Sequence, residues 1–361
     1  MFYFYCKTTP VIMVSLSTLE FHNARKLVPG STIGIIAPSA GNAQFFPHRV
    51  EQGERFLKQL GYKVKFATHA LENSGYVSAD PEKRVADIHE LFLDPEVSAI
   101  LCTIGGNHSN QLLGHLDYNL IKKNPKIFVG YSDITVLHYA FAAKAGLRTF
   151  YGPCLMTQFG EYPAPLPFTL DSFNRALADG IPMGDIEASK EWTTEILDWR
   201  KKKDLERPRI LTPSLGYHWL REGKAEGRIF GGCVPSLNHL AGTEYWVDPA
   251  KGIFFVDIPE GHQFGEGLLI AELDSFFADL ENLGVFSRIA GLIVGRPYNY
   301  SPEQEKELER LLLYYTRSTD YPILLNANIG HADPIITLPL GVRAVLDSQM
   351  NTFSLEESGV S

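Results

Sequence analysis

The sequence is poor in cysteine and lacks the signatures of several common kinds of site. Its 361 residues include four cysteines, Cys6, Cys102, Cys154 and Cys233, and none form the C-x-x-C spacing of zinc and redox motifs. Neither an H-E-x-x-H zinc signature nor a G-x-G-x-x-G dinucleotide fingerprint occurs. We therefore expect no metal and no organic cofactor. Scattered cysteines in apolar runs also favour a reducing, cytoplasmic location.

The chain also has no excess of positively charged residues and no long apolar run. Lys and Arg number 33 against 42 Asp and Glu, a formal charge of −9, which argues against non-specific nucleic-acid binding because that relies on clustered cations. No run approaches the roughly 18 uninterrupted apolar residues that span a bilayer. Lys7 and Pro10 interrupt the apolar start of the chain, which argues against a secretion signal. We expect neither a nucleic acid nor a membrane as partner.

Strand and helix patterns alternate along the first half, which predicts an α/β fold with a parallel sheet and right-handed crossovers. Short apolar runs end in small-residue turns, and segments with apolar residues at helical spacing follow them. The predicted strands are Thr32–Pro38, Tyr62–Ala67, Val97–Ile104 and Lys126–Gly130, and the predicted helices are Arg49–Leu60, Pro81–Leu93 and Asp133–Ala145.

Length and composition predict two domains separated by a distinct middle segment. The middle is rich in proline and charge and holds three of the four tryptophans, so we expect a linker or an ordered lid there. Strand patterns resume beyond it, at Gly252–Ile258, Ala290–Gly295, Pro322–Asn326 and Arg343–Asp347, with helices at Leu269–Asn282 and Pro302–Thr316. The predicted units are an N-terminal extension (1–27), a first α/β domain (28–165), the middle segment (166–226) and a C-terminal domain (227–361).

Ser132 stands where a predicted strand turns into a predicted helix, in the segment Gly130-Tyr131-Ser132-Asp133. Its hydroxyl is therefore expected at the carboxyl edge of the sheet, where open α/β sheets bind ligands. A helix N-terminus there favours developing negative charge. The segment is not the G-x-S-x-G nucleophile elbow, and serine is also a common helix N-cap. From this pattern alone, Ser132 is either a nucleophile or a cap.

A serine nucleophile needs a histidine base and a carboxylate that orients it. His331 is the favoured base because it follows a predicted strand, and Asp257 ends another strand of the same region, with Glu260 three residues later. The pair Gly105-Gly106 either directs backbone N–H groups towards an oxyanion or forms a simple turn. The competing histidines are His108, His115, His138, His239 and His262.

Several segments from about residue 28 to the C-terminus resemble the LD-carboxypeptidase family of serine peptidases. Within that family, the chain is most similar to the branch that contains the microcin C self-immunity carboxypeptidase. The combination of the SDIT motif (132–135) with the later GH…PLG segment (330–341) is specific for this family. The segments include PGSTIGIIAPSAG (29–41), TIGGNHSNQLL (103–113), NPKIFVGYSDITVLHYAF (124–141), GVFSRIAGLIVGRP (284–297) and GHADPIITLPLG (330–341).

The resemblance implies a flavodoxin-like N-terminal domain, a smaller α/β C-terminal domain and an active site between them. The family's triad is Ser–Glu–His, and its serine and histidine fall on Ser132 and His331. Its oxyanion hole falls on the backbone N–H groups of Gly106 and Asp133. Asp257 occupies the place of the glutamate, which is one methylene longer. Misplacement of a catalytic group by about 1 Å can cost a hundredfold in rate. Either the longer following loop shifts the strand end and compensates for the shorter side chain, or Glu260 takes over as the acid.

Two further departures accompany Asp257. Glu260, in the longer loop, is the alternative triad acid, and Cys233 stands where the family usually has asparagine. The resemblance implies cleavage of an amide bond, at a C-terminal residue of a small peptide or in an aminoacyl conjugate, through an acyl-enzyme and without a cofactor. Hydrolysis of another small amide or ester is one alternative. The alternative outside the enzymes is a catalytically inactive binding protein, which the departures at Asp257 and Cys233 suggest.

The resemblance also implies substrate-binding residues and an assembly. Trp192 and Trp199, seven residues apart, either stack on a nucleotide-like part of the substrate or anchor their loop by burial. Asn107 and Glu260 are the other expected substrate-binding residues. The family is commonly homodimeric, so a homodimer is expected.

Overall fold

The computed structural model describes residues 14–263 and 265–361 of the chain. Its strands are β1 (Val14–Ser15), β2 (Thr32–Ile36), β3 (Lys63–Phe66), β4 (Val97–Cys102), β5 (Ile127–Gly130), β6 (Phe150–Tyr151), β7 (Gly184–Asp185), β8 (Glu191–Trp192), β9 (Thr212–Pro213), β10 (His218–Arg221), β11 (Lys224–Cys233), β12 (Val247–Asp248), β13 (Ile253–Asp257), β14 (Gly291–Gly295), β15 (Ile323–Ala327), β16 (Leu338–Pro339), β17 (Arg343–Asp347) and β18 (Thr352–Leu355). Its helices are α1 (Pro47–Gln59), α2 (Pro81–Leu93), α3 (Tyr118–Lys123), α4 (Thr135–Ala145), α5 (Pro167–Leu177), α6 (Val234–Asn238), α7 (Ile270–Asn282), α8 (Val285–Arg288) and α9 (Pro302–Tyr315).

The first sheet has the strand order β16-β6-β5-β4-β2-β3. Its five strands from β2 to β6 are parallel, and the short β16 pairs antiparallel with β6 at the edge. Numbered along the chain, the parallel strands have the order 2-1-3-4-5, which defines the flavodoxin-like arrangement. The predicted α/β fold with a parallel sheet is confirmed.

The second sheet is mixed and has the order β10-β15-β14-β13-β11-β17-β18-β7. Four parallel strands, β11, β13, β14 and β15, form its centre, and antiparallel strands flank them. The sequence pattern did not predict β11, because its glycines weaken the strand signal. They are required by close packing: a Cβ on Gly231 would lie 1.9 Å from the carbonyl oxygen of Phe255 on β13.

The middle segment contains more packed structure than a linker. Helix α5 buries Phe173 and Leu177 in the core, and its Ser172 hydroxyl accepts a hydrogen bond from the backbone N–H of Thr337. The proline-rich start favoured a linker, yet Pro167 is the first residue of the helix, a position that proline tolerates well. In the later part, β8 and β9 pair, and residues of the loop between them line a cavity; an ordered lid there stays a prediction.

The described part of the predicted N-terminal extension, residues 14–27, packs against the rest of the chain. β1 pairs parallel with β12, and Leu16 and Leu27 are buried. The remainder of that predicted extension, residues 1–13, lies outside the described residues. Among the described residues, no helix combines the length and the apolar character needed to cross a membrane.

Candidate active site

A cavity of about 940 Å³ lies where the carboxyl ends of the two sheets meet. Parallel strands deliver their following loops to one edge, so each sheet brings its strand-end residues to this junction. Of the residues singled out in the sequence, the cavity wall includes Gly105, Gly106, Asn107, Ser132, Trp199, Cys233, Glu260, His262 and His331. Asp257 lies behind His331 and is fully buried.

Ser132 occupies a left-handed backbone conformation with φ of 65°, which is uncommon for a residue with a side chain and concentrates at functional sites. Its backbone N–H donates a hydrogen bond of 3.1 Å to the Tyr151 hydroxyl. The N-cap positions of the short turn and of α4 belong to Tyr131 and Ile134. The cap interpretation of Ser132 is therefore not favoured, and its side chain borders the cavity.

The loop after β4 is fastened to the Ser132 turn by the buried carboxylate of Asp133. Its Oδ2 accepts hydrogen bonds from the Ser39 hydroxyl at 2.6 Å and from the backbone N–H groups of His108 and Ser109 at 3.0 and 2.9 Å. Gly106 has φ of 149° and passes so close to Ser39 that a Cβ would lie 2.4 Å from its Oγ. The hydrogen bonds of the described residues include none donated by the N–H of Gly106 or of Asp133.

His331 and Asp257 form a buried pair. The ring Nδ1 of His331 lies 2.8 Å from Oδ2 and 3.0 Å from Oδ1 of Asp257, and the His331 backbone N–H donates to the same Oδ1 at 3.2 Å. The Tyr151 hydroxyl donates to Oδ2 at 2.6 Å. Gly330 makes room for the carboxylate, because a Cβ there would lie 1.8 Å from Oδ1. The shorter side chain of Asp257 thus reaches the histidine.

The other ring nitrogen of His331, Nε2, lies 3.4 Å from Oε2 of Glu260. The hydrogen bonds of the described residues include none between this nitrogen and the Ser132 hydroxyl. Burial lowers the pKa of His331, but the negative charges of Asp257 and Glu260 outweigh it and raise the pKa to about 9. The two carboxylates therefore favour the protonated form of the ring.

A second buried charge cluster holds the loop after His331. Arg209 lies 2.8 Å from both Glu161 and Asp333, and the Gln158 side-chain amide donates to Asp333 at 3.0 Å. Burial lowers the pKa of Arg209, but these two carboxylates outweigh it and raise the pKa above its ordinary value. The cluster anchors Asp333, two residues after His331, to the first domain.

The two tryptophans lie in different places. Trp199 borders the cavity, with the Arg49 guanidinium 4.4 Å from its ring centre and Phe46 edge-on at 5.4 Å. Trp192 lies outside the residues that line the cavity, and its ring is covered by Arg296 at 4.4 Å. Only Trp199 is therefore in a position to contact a molecule in the cavity.

The competing histidines are not placed as bases for Ser132. His115 and His239 are exposed. His138 is buried between Thr149 and the Gly130 carbonyl, and burial lowers its pKa to about 4. His108 packs against Tyr76, and His262, although it borders the cavity, lies 2.8 Å from Glu272.

Sequence reasoning missed Tyr151, Ser39 and Gly330, which support the site from behind. Tyr151 stands at the end of β6, so its place at a strand end, like that of Ser132, was the one signal that pointed to it. Ser39 follows β2 in the same way. Gly330 precedes His331 and has φ of 97°, so its role follows from the close approach of Asp257.

Comparison with known proteins matches both halves of the chain to one family. Residues 33–152 match the LD-carboxypeptidase N-terminal domain, and residues 226–346 match the LD-carboxypeptidase C-terminal domain. The microcin C7 self-immunity protein of Escherichia coli is 30% identical over 94% of this chain and 96% of its own length. The "probable murein peptide carboxypeptidase" of Bacillus subtilis is 31% identical over 94% and 96%.

A solved structure of the microcin C7 self-immunity protein, in complex with aspartyl sulfamoyl adenosine, superposes on the chain. Its TM-score is 0.86 at 31% identity, and the match covers 94% of this chain and all of that one. The similarity therefore extends through both sheets and the junction between them.

Proposed function

The chain belongs to the LD-carboxypeptidase family and is an enzyme of peptidase or amidohydrolase type; on this premise we propose that it cleaves amide bonds with Ser132 as nucleophile, His331 as base and Asp257 as orienting acid. The observation that carries the proposal is the 2.8 Å contact between His331 and Asp257 on the wall of the cavity that Ser132 also borders. The family alone leaves the identity of the acid open in this chain.

In the proposed reaction, the Ser132 hydroxyl attacks the amide carbonyl while neutral His331 takes its proton through Nε2. The backbone N–H groups of Gly106 and Asp133, which have no protein acceptor among the described residues, bind the oxyanion. His331 then protonates the leaving amine. Water, activated by the same histidine, releases the acyl group from Ser132.

Asp257 rather than Glu260 is proposed as the triad acid. Asp257 is buried, contacts Nδ1 and also accepts a hydrogen bond from Tyr151. Glu260 has a side chain that is 53% exposed and lies on the Nε2 side, the side from which a base must reach Ser132. Its carboxylate must therefore move away from Nε2 when substrate binds.

The substrate class is proposed to be a small peptide or an aminoacyl conjugate. Related structures hold aspartyl sulfamoyl adenosine and glutamyl sulfamoyl guanosine, and here Trp199, Phe46 and Arg49 supply an aromatic and cationic wall on which a nucleobase can stack. This wall favours the aminoacyl-nucleotide conjugate, and Asn107 and Glu260 border the same cavity. Murein peptides are the second candidate substrate, since the Bacillus subtilis relative is named a probable murein peptide carboxypeptidase.

A fluorophosphonate probe tests the serine mechanism. Covalent labelling of the wild type that disappears in Ser132→Ala supports the proposal, and the loss of turnover is expected to be on the order of 10⁴- to 10⁶-fold. Circular dichroism checks that the variant folds. A folded wild type that resists labelling across the pH range, or equal labelling of Ser132→Ala, would refute it.

The choice of acid is tested by Asp257→Asn against Glu260→Gln. Loss of the triad acid is expected to lower turnover by about 10⁴-fold, while Glu260→Gln keeps the triad intact. The opposite ranking of the two variants would assign the acid to Glu260. A homodimer and a cytoplasmic location remain predictions, the first measurable by light scattering on the purified chain.

A further inference from the structure

Three groups with metal-ligating chemistry converge on the back of the cavity. Cys233 Sγ, one carboxylate oxygen of Asp257 and one ring nitrogen of His331 all lie within 4.8 Å of one another. The convergence follows from the sheet: β11 and β13 are parallel, and Cys233 is in register with Asp257 at their carboxyl ends. The two side chains therefore leave the sheet on the same face, next to His331.

We propose that this cluster is an inhibitory binding site for Zn²⁺ or another thiophilic divalent ion. Metal binding itself does not depend on the proposed function; only the inhibition rests on the proposed role of His331 as the base. One thiolate, one imidazole and one carboxylate are the donors that zinc selects. Tetrahedral coordination at 2.0–2.3 Å sets ligand atoms about 3.3–3.8 Å apart. Ligand atoms that now lie up to 4.8 Å apart therefore close by up to about 1 Å on binding, whereas His331 Nδ1 and the Asp257 oxygen, 2.8 Å apart, separate if both bind the ion. The fourth position faces the cavity, because Cys233 and His331 both border it.

The surroundings suit a metal ligand set. The Tyr151 hydroxyl and the His331 backbone N–H hold the Asp257 carboxylate, which is the support that outer groups give to ligands in metal sites. Burial, together with the charges of Asp257 and Glu260, raises the pKa of the Cys233 thiol. Binding must therefore break the S–H bond, form the S–Zn bond and release the proton to water.

Occupancy would stop the proposed reaction. The ion would take Asp257 and a His331 nitrogen away from each other, or occupy the nitrogen that receives the Ser132 proton. In either case the base would no longer be free to accept that proton. The site would make the enzyme sensitive to free zinc through a residue, Cys233, that the triad itself does not use.

Metal binding is tested without reference to activity by titrating Co²⁺ into the full chain, in a Cys6→Ser background that removes the thiol outside the described residues. A thiolate-to-cobalt absorption band is expected, displaced by Zn²⁺ and absent in Cys233→Ser. Cys154→Ser, which removes another buried thiol, is the matched control and keeps the band. No band in the Cys6→Ser protein, or a band that survives Cys233→Ser, overturns the proposal.

Inhibition is tested on the same proteins by measuring the turnover rate at increasing Zn²⁺ concentrations. The rate of each variant is expressed relative to the rate of that same variant in EDTA. Cys233→Ser is expected to raise the half-inhibiting Zn²⁺ concentration at least tenfold. If Glu260→Gln rather than Cys233→Ser relieves inhibition, the ion binds on the Nε2 side and the proposal is wrong. A Cys233-dependent cobalt band in a chain that turns over no substrate would uphold the site and refute the proposed function.

Discussion

The Tyr151 hydroxyl joins the two halves of the candidate site. It donates a hydrogen bond of 2.6 Å to Asp257 and accepts one of 3.1 Å from the backbone N–H of Ser132. Tyr151 ends β6 of the first sheet, whereas Asp257 ends β13 of the second. One oxygen atom therefore fixes the Asp257 carboxylate and the strained backbone of Ser132 relative to each other across the domain junction.

Tyr151→Phe is expected to lower kcat with little change in KM. A hydrogen bond to a charged group contributes about 1.5–3 kcal/mol, which corresponds to a rate loss of roughly 10- to 150-fold. Steady-state kinetics on the wild type and the variant measure it. Tyr139→Phe is the matched control, because the buried Tyr139 hydroxyl has no hydrogen-bond partner among the residues that the structure describes, and its loss is expected to leave kcat unchanged. Equal effects of the two variants would show a general packing role.

The pH dependence of kcat/KM follows from the state of His331. Since the base must be neutral and the pKa of His331 is raised to about 9, kcat/KM is expected to rise with pH up to about 9 in the free enzyme. Glu260→Gln removes one of the charges that raise this pKa, so the rising limb moves to lower pH. Profiles are recorded with EDTA. A limb that stays in place, or moves to higher pH, would contradict the assignment of the Nε2 contact.

The same pKa shift predicts a pH dependence of stability. A histidine whose pKa is higher in the folded than in the unfolded chain stabilises the fold fully below the unfolded pKa of about 6.5. That contribution is lost as the pH rises through about 9. Tm is therefore expected to fall between these pH values, and to fall less in His331→Gln. Parallel decreases in both proteins would assign the effect to other groups.

Gly330→Ala is expected to damage both the fold and the site. The added Cβ would lie 1.8 Å from the Asp257 carboxylate, on a backbone with φ of 97°. Gly216→Ala is the matched control, because Gly216 has φ of 83° with no atom within 4 Å of the added Cβ. The control carries only the backbone penalty, on the order of 1 kcal/mol. Urea unfolding measures the loss of stability in each variant, and kcat/KM measures the loss of activity. Gly330→Ala is expected to lose at least tenfold more activity than Gly216→Ala.

Trp199→Ala is expected to raise KM for an aminoacyl-nucleotide conjugate about tenfold or more, since stacking on an aromatic ring contributes roughly 1–3 kcal/mol. Trp192→Ala is the matched control, because its ring lies away from the cavity lining. Comparing both variants with a tetrapeptide substrate shows whether the wall recognises a nucleobase. An unchanged KM for the conjugate in Trp199→Ala would show that Trp199 serves only to anchor its loop.

Much of the parallel sheet was predictable because its strands are continuous apolar runs. Pro81–Leu93 and Arg343–Asp347 have the predicted ends, and most other predicted elements differ by one or two residues. Glycine-rich β11 and proline-initiated α5 were missed, since each lacks the local propensity of its element and is held by tertiary packing. Local sequence pattern indicates the secondary structure that a segment prefers on its own. In β11 and α5, the secondary structure is instead determined by the elements packed against them.

The residues of the candidate site likewise divide into those that local sequence pattern indicates and those that only the folded chain shows. Ser132 and His331 could be selected as candidates because they follow strands at the edge where ligands bind, and both border the cavity. The family resemblance favoured them over a helix cap and over the other histidines. The acid was ambiguous, because only the folded chain shows Asp257 at Nδ1 and Glu260 at Nε2. Tyr151 was missed despite its place at a strand end, since nothing in the local sequence links it to Asp257, 106 residues away along the chain.

The late position of His331 and of β16, which closes the edge of the first sheet, has a consequence during synthesis. A ribosome that has translated the first α/β domain has produced the proposed nucleophile, Ser132, without the proposed base His331, the proposed acid Asp257 or the edge strand of its sheet. The nascent chain is therefore expected to be inert until nearly all of it has emerged. A fragment that ends after the first α/β domain is therefore expected to lack the proposed hydrolase activity.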